Sequence, residues 1–363
     1  MSDKIKIGIS HGDVNGISYE VIIKTLLDNR ISEICTPIIF GSPKVAAYHR
    51  KALDIDNFSP TGINSPDEAR GNRVYVINCV DDNIRVELGK STESAGIASY
   101  EALKAATDAL EMGKIDALVT GPVNKQNIQH AEFNYNGHTE YLQARFMADE
   151  VLMLMVSDVM KVGIVAGHVP IAQLTSFITG DLILEKLNIL SQSLLMDFGI
   201  RNPRIAVLGL NPHAGDDGLL GNEEQEVIIP ALERAKHSNI SVFGPFSSDG
   251  FFGAARYTKF DAILAMYHDQ GLAPFKALSM ETGVNYTAGL PVIRTSPAHG
   301  TAFELAGKNV ASASSFRNAM YLAIDIARNR SLHKEITNDP LPAGTTSIGG
   351  KDESPEDLVS SNG

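Results

Sequence analysis

Cysteine is almost absent from the sequence: Cys35 and Cys79 are too few to build a disulfide framework, and neither belongs to a CxxC pair of the kind that holds a metal. A reducing cytoplasm is therefore the expected setting. Apolar runs long enough to span a bilayer are missing as well. The opening MSDKIKIGIS interleaves charged and apolar residues where a signal peptide needs an unbroken apolar stretch. Clusters of Lys and Arg are also missing. With a formal net charge of -12, the surface offers phosphate backbones no concentrated positive patch, which argues against nucleic acid as a partner. The acidity itself reads as solubility. Finally, the first apolar run is followed by GDVNG (12–16) and not by GxGxxG, so a Rossmann dinucleotide site lacks its usual fingerprint.

What is present describes a soluble globular protein, 44% hydrophobic and 20% charged. A single core stops growing at about 250 to 300 residues, so 363 residues predict two lobes. Short β-rich runs recur between helical patterns: IKIGIS (5–10), TPIIFG (36–41), RVYVINCV (73–80), DALVTG (116–121), KVGIVAG (161–167), RIAVLGL (204–210), ISVFG (240–244) and FDAILAMY (260–267). That alternation predicts an α/β fold with a mostly parallel sheet covered by helices. Helical periodicity is clearest over 94–112, closed by Gly113, and over 181–198. No internal repeat or Gly/Ser-rich linker divides the body, so the lobes are expected to share crossing segments. Beyond about Arg330 the sequence turns to LPAGTTSIGGKDESPEDLVSSNG, poor in large apolar residues, and a flexible tail is expected over 336–363.

In open α/β sheets ligands gather beyond the carboxyl ends of the strands, where loops and helix N-termini face one crevice. KVGIVAG delivers His168 there, RIAVLGL delivers Asn211-Pro212-His213, and FDAILAMY delivers His268-Asp269-Gln270. Imidazole is a common ligand for a borderline divalent ion, and three of them leave coordination positions free for substrate. Taken singly, each histidine reads equally well as a cap or surface residue. Lys125, Lys276 and Arg294 add positive charge at strand ends. Arg294 follows the apolar LPVI, where a buried guanidinium needs an anionic partner, either a ligand's phosphate or carboxylate or a structural Asp or Glu. Asn136-Gly137-His138-Thr139-Glu140-Tyr141 reads as the start of a helix, with Gly137 allowing an unusual backbone angle and free amides behind it.

GHTEY (137–141), GLNPHAGDDGLLGNEE (209–224), AMYHDQGL (265–272) and GVNYTAGLPVIRTSPAHGTAFELAG (283–307) resemble, in order, the 4-hydroxythreonine-4-phosphate dehydrogenases, and the likeness runs from about Lys4 to Arg328. The resemblance implies a two-lobed α/β/α fold of the isocitrate and isopropylmalate dehydrogenase type with its active site in the interlobe cleft. A discontinuous coenzyme-side lobe is expected over 1–135 with 295–335, and a central substrate and dimerisation lobe over 136–294. The resemblance further implies a homodimer with shared sites, in which His168 and His213 come from one chain and His268 from the other to hold a zinc, magnesium or cobalt ion. Substrate contacts are implied for His138, Thr139, Lys276, Asn285 and Arg294. NAD or NADP is implied at a loop containing His299, Gly300, Thr301 and Ala302.

The implied reaction is oxidation of 4-phosphooxy-threonine to a 3-keto acid that decarboxylates, a step of pyridoxine 5'-phosphate biosynthesis. His138, Asp249 and Asp269 are the candidate bases. Alternatives are a related dehydrogenase of threonate or erythronate 4-phosphate or of a cis-dihydrodiol, and, further off, a phosphate acyltransferase. The family's opening pattern, approximately GDPAGIGPE, is altered here: residues 12–20 read GDVNGISYE, with Asn15 at the alanine position, and His11 replaces a common proline.

Overall fold

The computed structural model describes residues 4–129 and 132–338. Its twelve strands form one sheet. They are β1 (Lys6–Ser10), β2 (Thr36–Gly41), β3 (Thr61–Ile63), β4 (Tyr75–Asn78), β5 (Ala117–Thr120) and β6 (Leu152–Val156), followed by β7 (Lys161–Ala166), β8 (Ile205–Leu208), β9 (Val242–Phe246), β10 (Ala262–Tyr267), β11 (Val284–Ala288) and β12 (Arg294–Pro297). The order across the sheet is β3-β4-β2-β1-β5-β12-β11-β6-β7-β10-β8-β9. Strands β2, β5 and β8 are buried along their whole length, as apolar strands covered on both faces must be.

The eight apolar runs of the sequence are all strands. β3, β6, β11 and β12 are additional, and three of these build the middle of the sheet. From β3 to β12 every neighbouring pair is parallel. β12–β11, β11–β6 and β6–β7 are antiparallel. From β7 to β9 the pairs are parallel again. Three reversals leave the two parallel sets running in opposite directions, so their carboxyl ends do not share one edge as a simple open sheet would require.

Helices pack against this sheet. The helix Glu93–Glu111 lies on β1, β2 and β5, and it starts where Thr92 accepts a hydrogen bond from the Ala95 amide. The helix Gly180–Met196 is capped in the same way by Thr179. The helix Ser314–Asn338 packs on β12 and β5 and carries the chain through the first residues of the expected tail; 339–363 lie outside the described residues. A buried polar knot ties it down. Arg330 Nε donates to Asp197 Oδ1 at 2.6 Å and Arg330 Nη2 donates to the Tyr286 hydroxyl at 3.0 Å, while that hydroxyl donates to Asp197 Oδ2 at 2.6 Å. Because every charge in the knot is paired, the helix, β11 and the end of Gly180–Met196 are held in one arrangement.

Behind β1 lies a stack of three rings, His11, Tyr19 and His49, with centroids 5.3 and 5.0 Å apart. His49 Nε2 donates to the Val14 carbonyl at 2.8 Å. Burial pushes both imidazoles down to about 4 from their ordinary value, so they are neutral in the folded protein. Below about pH 6.5 the unfolded chain binds protons at these positions that the folded chain refuses, and stability therefore falls as pH drops from about 6.5 towards 4. Urea midpoints measured over that range should decline, and a His11→Gln/His49→Gln double variant should show a shallower slope. An unchanged slope would contradict this account.

Candidate active site

A cavity of about 360 Å³ opens over the antiparallel middle of the sheet. Strand register places its floor. Asn285 on β11 is paired with Met155 on β6 and Ser296 on β12, so these three side chains share one face of the sheet, and all three line the cavity. A larger cleft, about 850 Å³, lies at the beginnings of β1 and β5 among Lys4, Lys6 and Asp116, and holds none of the candidate residues.

Arg294 opens β12 and is 3% exposed. Its Nη2 donates to Thr120 Oγ1 at 2.8 Å and to His138 Nδ1 at 3.0 Å, and its Nη1 donates to Thr287 Oγ1 at 3.2 Å. Burial lowers its pKa to about 10, partly offset by Glu140, and it remains a cation at neutral pH. Among the described residues no carboxylate forms an ion pair with it. The structural Asp or Glu left open by the sequence is thus not its partner, and the guanidinium holds positive charge at the cavity wall for an anion to meet.

His138 starts the helix His138–Arg145 and is buried against this guanidinium. Burial first, then Arg294 and Lys125, hold it well below the ordinary histidine range. Since Nδ1 accepts from arginine, the ring is neutral with its proton on Nε2, an atom that is buried and has no partner. It is a hydrogen-bond donor rather than a free base. Asn285 Oδ1 and His299 Nε2 are likewise buried without partners, so three cavity residues carry unsatisfied polar atoms. Gly137, expected in an unusual conformation, has an extended backbone with φ 173° that any residue adopts.

His168 and His268 face each other across the cavity with ring centroids 6.3 Å apart, as neighbours at the ends of the paired strands β7 and β10. Each carries a carboxylate on Nδ1. His268 donates to Asp269 Oδ1 at 2.6 Å, and His168 lies 3.5 Å from Glu140 Oε1, a contact that heads the causes lowering the Glu140 pKa. A carboxylate on one ring nitrogen leaves the other as a lone-pair donor, the usual arrangement of a metal-binding histidine. The resemblance implies that His268 joins His168 and His213 from the other subunit; within one chain His168 and His268 are neighbours.

His213 does not line the cavity. It begins a run, His213 to Asp217, whose φ angles lie between 45° and 82°, a left-handed turn that costs L-residues about 1–2 kcal/mol each. Glu224, 1% exposed, offsets part of that cost from inside the loop: its Oε1 accepts from the Leu210 and Asn211 amides at 2.7 Å each, and its Oε2 accepts from Asn211 Nδ2 at 2.9 Å. The turn leaves His213 exposed near Asp249, whose carboxyl is lowered chiefly by the Ser247 hydroxyl and to a lesser extent by His213. Among the described residues no three His, Cys, Asp or Glu side chains gather closely enough to hold a metal.

The cavity therefore collects His138, Thr139, His168, His268, Lys276, Asn285, Arg294, His299 and Gly300, but not His213, Asp249, Asp269, Thr301 or Ala302. Asp269 is 84% exposed and reaches the site only through His268. Thr301 turns its carbonyl to the Ile17 amide at 3.0 Å, and Ala302 is left-handed with φ 41°. Glu140, which also lines the cavity, was missed although it sits two residues past His138 in the same motif.

Residues 33–323 match the family described as pyridoxal phosphate biosynthetic protein PdxA. The chain belongs to this family. A 4-hydroxythreonine-4-phosphate dehydrogenase of Bacteroides thetaiotaomicron is 55% identical over 341 residues, 93% of either chain. A protein of Oceanobacillus iheyensis, provisionally named a D-threonate 4-phosphate dehydrogenase, is 40% identical over 90% of this chain and 99% of its own. The crystal structure of the Klebsiella pneumoniae 4-hydroxythreonine-4-phosphate dehydrogenase superposes with a TM-score of 0.79 at 32% identity, covering 90% of this chain and 98% of that one. The fold is the PdxA α/β fold, and an isocitrate dehydrogenase shares its architecture at 12% identity.

Within this PdxA cavity, Arg294→Lys should already be damaging, because an ammonium cannot reach Thr120, Thr287 and His138 together. A fall in kcat/KM of at least about tenfold is expected. Steady-state kinetics beside a thermal melt check it; an unaltered kcat/KM would remove Arg294 from ligand recognition.

Proposed function

We propose that this PdxA protein is a nicotinamide-linked, divalent-metal-dependent dehydrogenase acting on 4-phosphooxy-L-threonine, located in the cytoplasm and working as a homodimer. The observation that carries the reading is the buried Arg294 guanidinium, unpaired by carboxylate and flanked by unsatisfied His138 and Asn285 atoms. It describes a site awaiting an anion, and the relatives' names supply the phosphorylated hydroxy acid.

Arg294, with the exposed Lys125 and Lys276 at the rim, would hold the substrate's anionic groups, and His138 Nε2–H would donate to one of their oxygens. Thr139 and Asn285 complete this grip. NAD or NADP would accept a hydride from the carbinol carbon while the hydroxyl proton leaves to a base, giving a 3-keto acid whose loss of carbon dioxide yields 3-amino-2-oxopropyl phosphate. With His138 acting as a donor, Asp249 and Asp269 are left as candidate bases. A divalent ion, zinc, magnesium or cobalt, would supply Lewis acidity at the hydroxyl. His168 and His213 of one chain and His268 of the second subunit would hold it, the nitrogens of His168 and His268 that face no carboxylate being lone-pair donors. The lobe carrying the coenzyme loop, His299 to Ala302, is placed at 1–135 with 295–335, and the substrate and dimerisation lobe at 136–294.

The second reading, a threonate or erythronate 4-phosphate dehydrogenase, is favoured by the Oceanobacillus relative. The carboxylate-backed histidines have no use in phosphate acyl transfer. Purified protein should reduce the coenzyme with 4-phosphooxy-L-threonine, lose that activity reversibly to chelator, and act weakly on D-threonate 4-phosphate. Equal turnover of an unphosphorylated analogue would sink the phosphate reading.

The divided ligand set has its own test. His168→Ala and His268→Ala homodimers should each be inactive, yet mixing them by co-refolding should restore roughly a quarter of wild-type activity, since about half the dimers are heterodimers with one intact site. A mixture of His168→Ala with His213→Ala should stay inactive. Recovery in that second mixture and none in the first would place His213 across the interface instead.

A further inference from the structure

The altered loop GDVNG supplies side-chain contacts that the alanine of the family pattern lacks. Asn15 is fully buried, and every polar atom of its side chain is used. Its Nδ2 donates to the Lys90 carbonyl at 3.0 Å and to Thr92 Oγ1 at 2.9 Å, and its Oδ1 accepts from the Glu87 amide at 2.7 Å. Its backbone carbonyl accepts from the Gly89 amide at 2.8 Å. One side chain thus fastens the whole 87–92 segment to the loop after β1.

Both fastened pieces touch the segment following β12. Ile17 N donates to the Thr301 carbonyl, and Gly16 lies so close that a Cβ there would come within 2.7 Å of that oxygen. From the other side, Leu88 lies 2.7 Å from where a Cβ of Gly307 would stand, and Gly89, with φ 79°, lies 3.1 Å by the same measure from the Phe303 carbonyl. Residues 301–307 are therefore wedged between two walls whose spacing Asn15 sets. Asn15 lines no part of the cavity, and its side-chain partners all lie in 87–92.

We propose that Asn15 is a positioning residue for the coenzyme: by clamping 87–92 to the 12–17 loop it holds 301–307 in the shape that receives the nicotinamide dinucleotide. This rests on the assignment of His299 to Ala302 as the coenzyme loop. An amide is the required chemistry, because donors to Lys90 and Thr92 and an acceptor for Glu87 must sit on one short side chain. A serine supplies at most one donor and an acceptor, and an alanine supplies neither.

The test uses the full-length enzyme and titrates NADH and NADPH by fluorescence. Asn15→Ala and the isosteric Asn15→Asp, which keeps the acceptor but loses both donors, should raise the Kd of the preferred coenzyme about tenfold. At saturating coenzyme, kcat and the KM for the phosphorylated substrate should stay within about twofold. Amide hydrogen exchange should quicken in 87–92 and 301–307 and stay unchanged around His138, Asn285 and Arg294. Asn15→Asp carries the test if Asn15→Ala does not fold. A His299→Ala variant is measured alongside. If it weakens coenzyme binding while the folded Asn15 variants do not, the clamp is wrong and the coenzyme loop stands. If neither variant does so, the loop assignment fails and takes the clamp with it. A substrate KM that rises as much as the coenzyme Kd would likewise overturn a role specific to the coenzyme.

Discussion

The reversal of strand direction across β12, β11, β6 and β7 is the constraint on which the rest of the molecule depends. Two parallel sets pointing the same way would have gathered all their loops at one crest. Here they point apart, and the place where loops of both sets can meet is above the seam. Side chains there are chosen by register. Thr287 and Arg294 face the same side as Asn285 and Ser296, and a slip of one residue in β12 would send the guanidinium to the other face. The knot of Arg330, Asp197 and Tyr286 holds β11 where this register requires it.

Electrostatics at the seam follow from what is withheld. A guanidinium taken out of water normally acquires a carboxylate, yet Arg294 has hydroxyls and an imidazole in its place. The arrangement costs stability, and its return is a cation that ligand alone can neutralise. Burial and the same cation keep the neighbouring imidazole neutral, with its remaining N–H unpartnered. Two other imidazoles are treated in the opposite way, with acidic groups at Nδ1 that enrich the free nitrogen.

The fold was legible where the strands are apolar and β-branched, as in TPIIFG and RIAVLGL, because burial on both faces leaves an unbroken apolar run. β6, LMLMV, carries Leu and Met that suit a helix equally well, and β11 and β12, VNYTA and RTSP, carry the polar residues of the site itself, so their chemistry masked their conformation. The site was legible in the same uneven way. Arg294 was singled out by its apolar approach and proved to be the buried cation. Strand ends alone assigned His168, His213 and His268 to one place, yet a left-handed turn carries His213 off, and a run of five such residues with Asp and Ala among them has no reliable pattern in sequence. Thr301 and Ala302 lie outside the cavity, the first with its carbonyl held by the distant Ile17 amide and the second in a left-handed turn.

The uneven depth of the cavity sets how such a site can change over generations. Arg294 is enclosed, tied to β5 and β11, and fixed by register, so almost any replacement disturbs several strands. Lys125 and Lys276 stand in solvent at the rim, and Thr139 is half-buried, where exchange is tolerated. The enclosed cation can therefore be exchanged only at the expense of the sheet, whereas the rim can be altered without rebuilding the core.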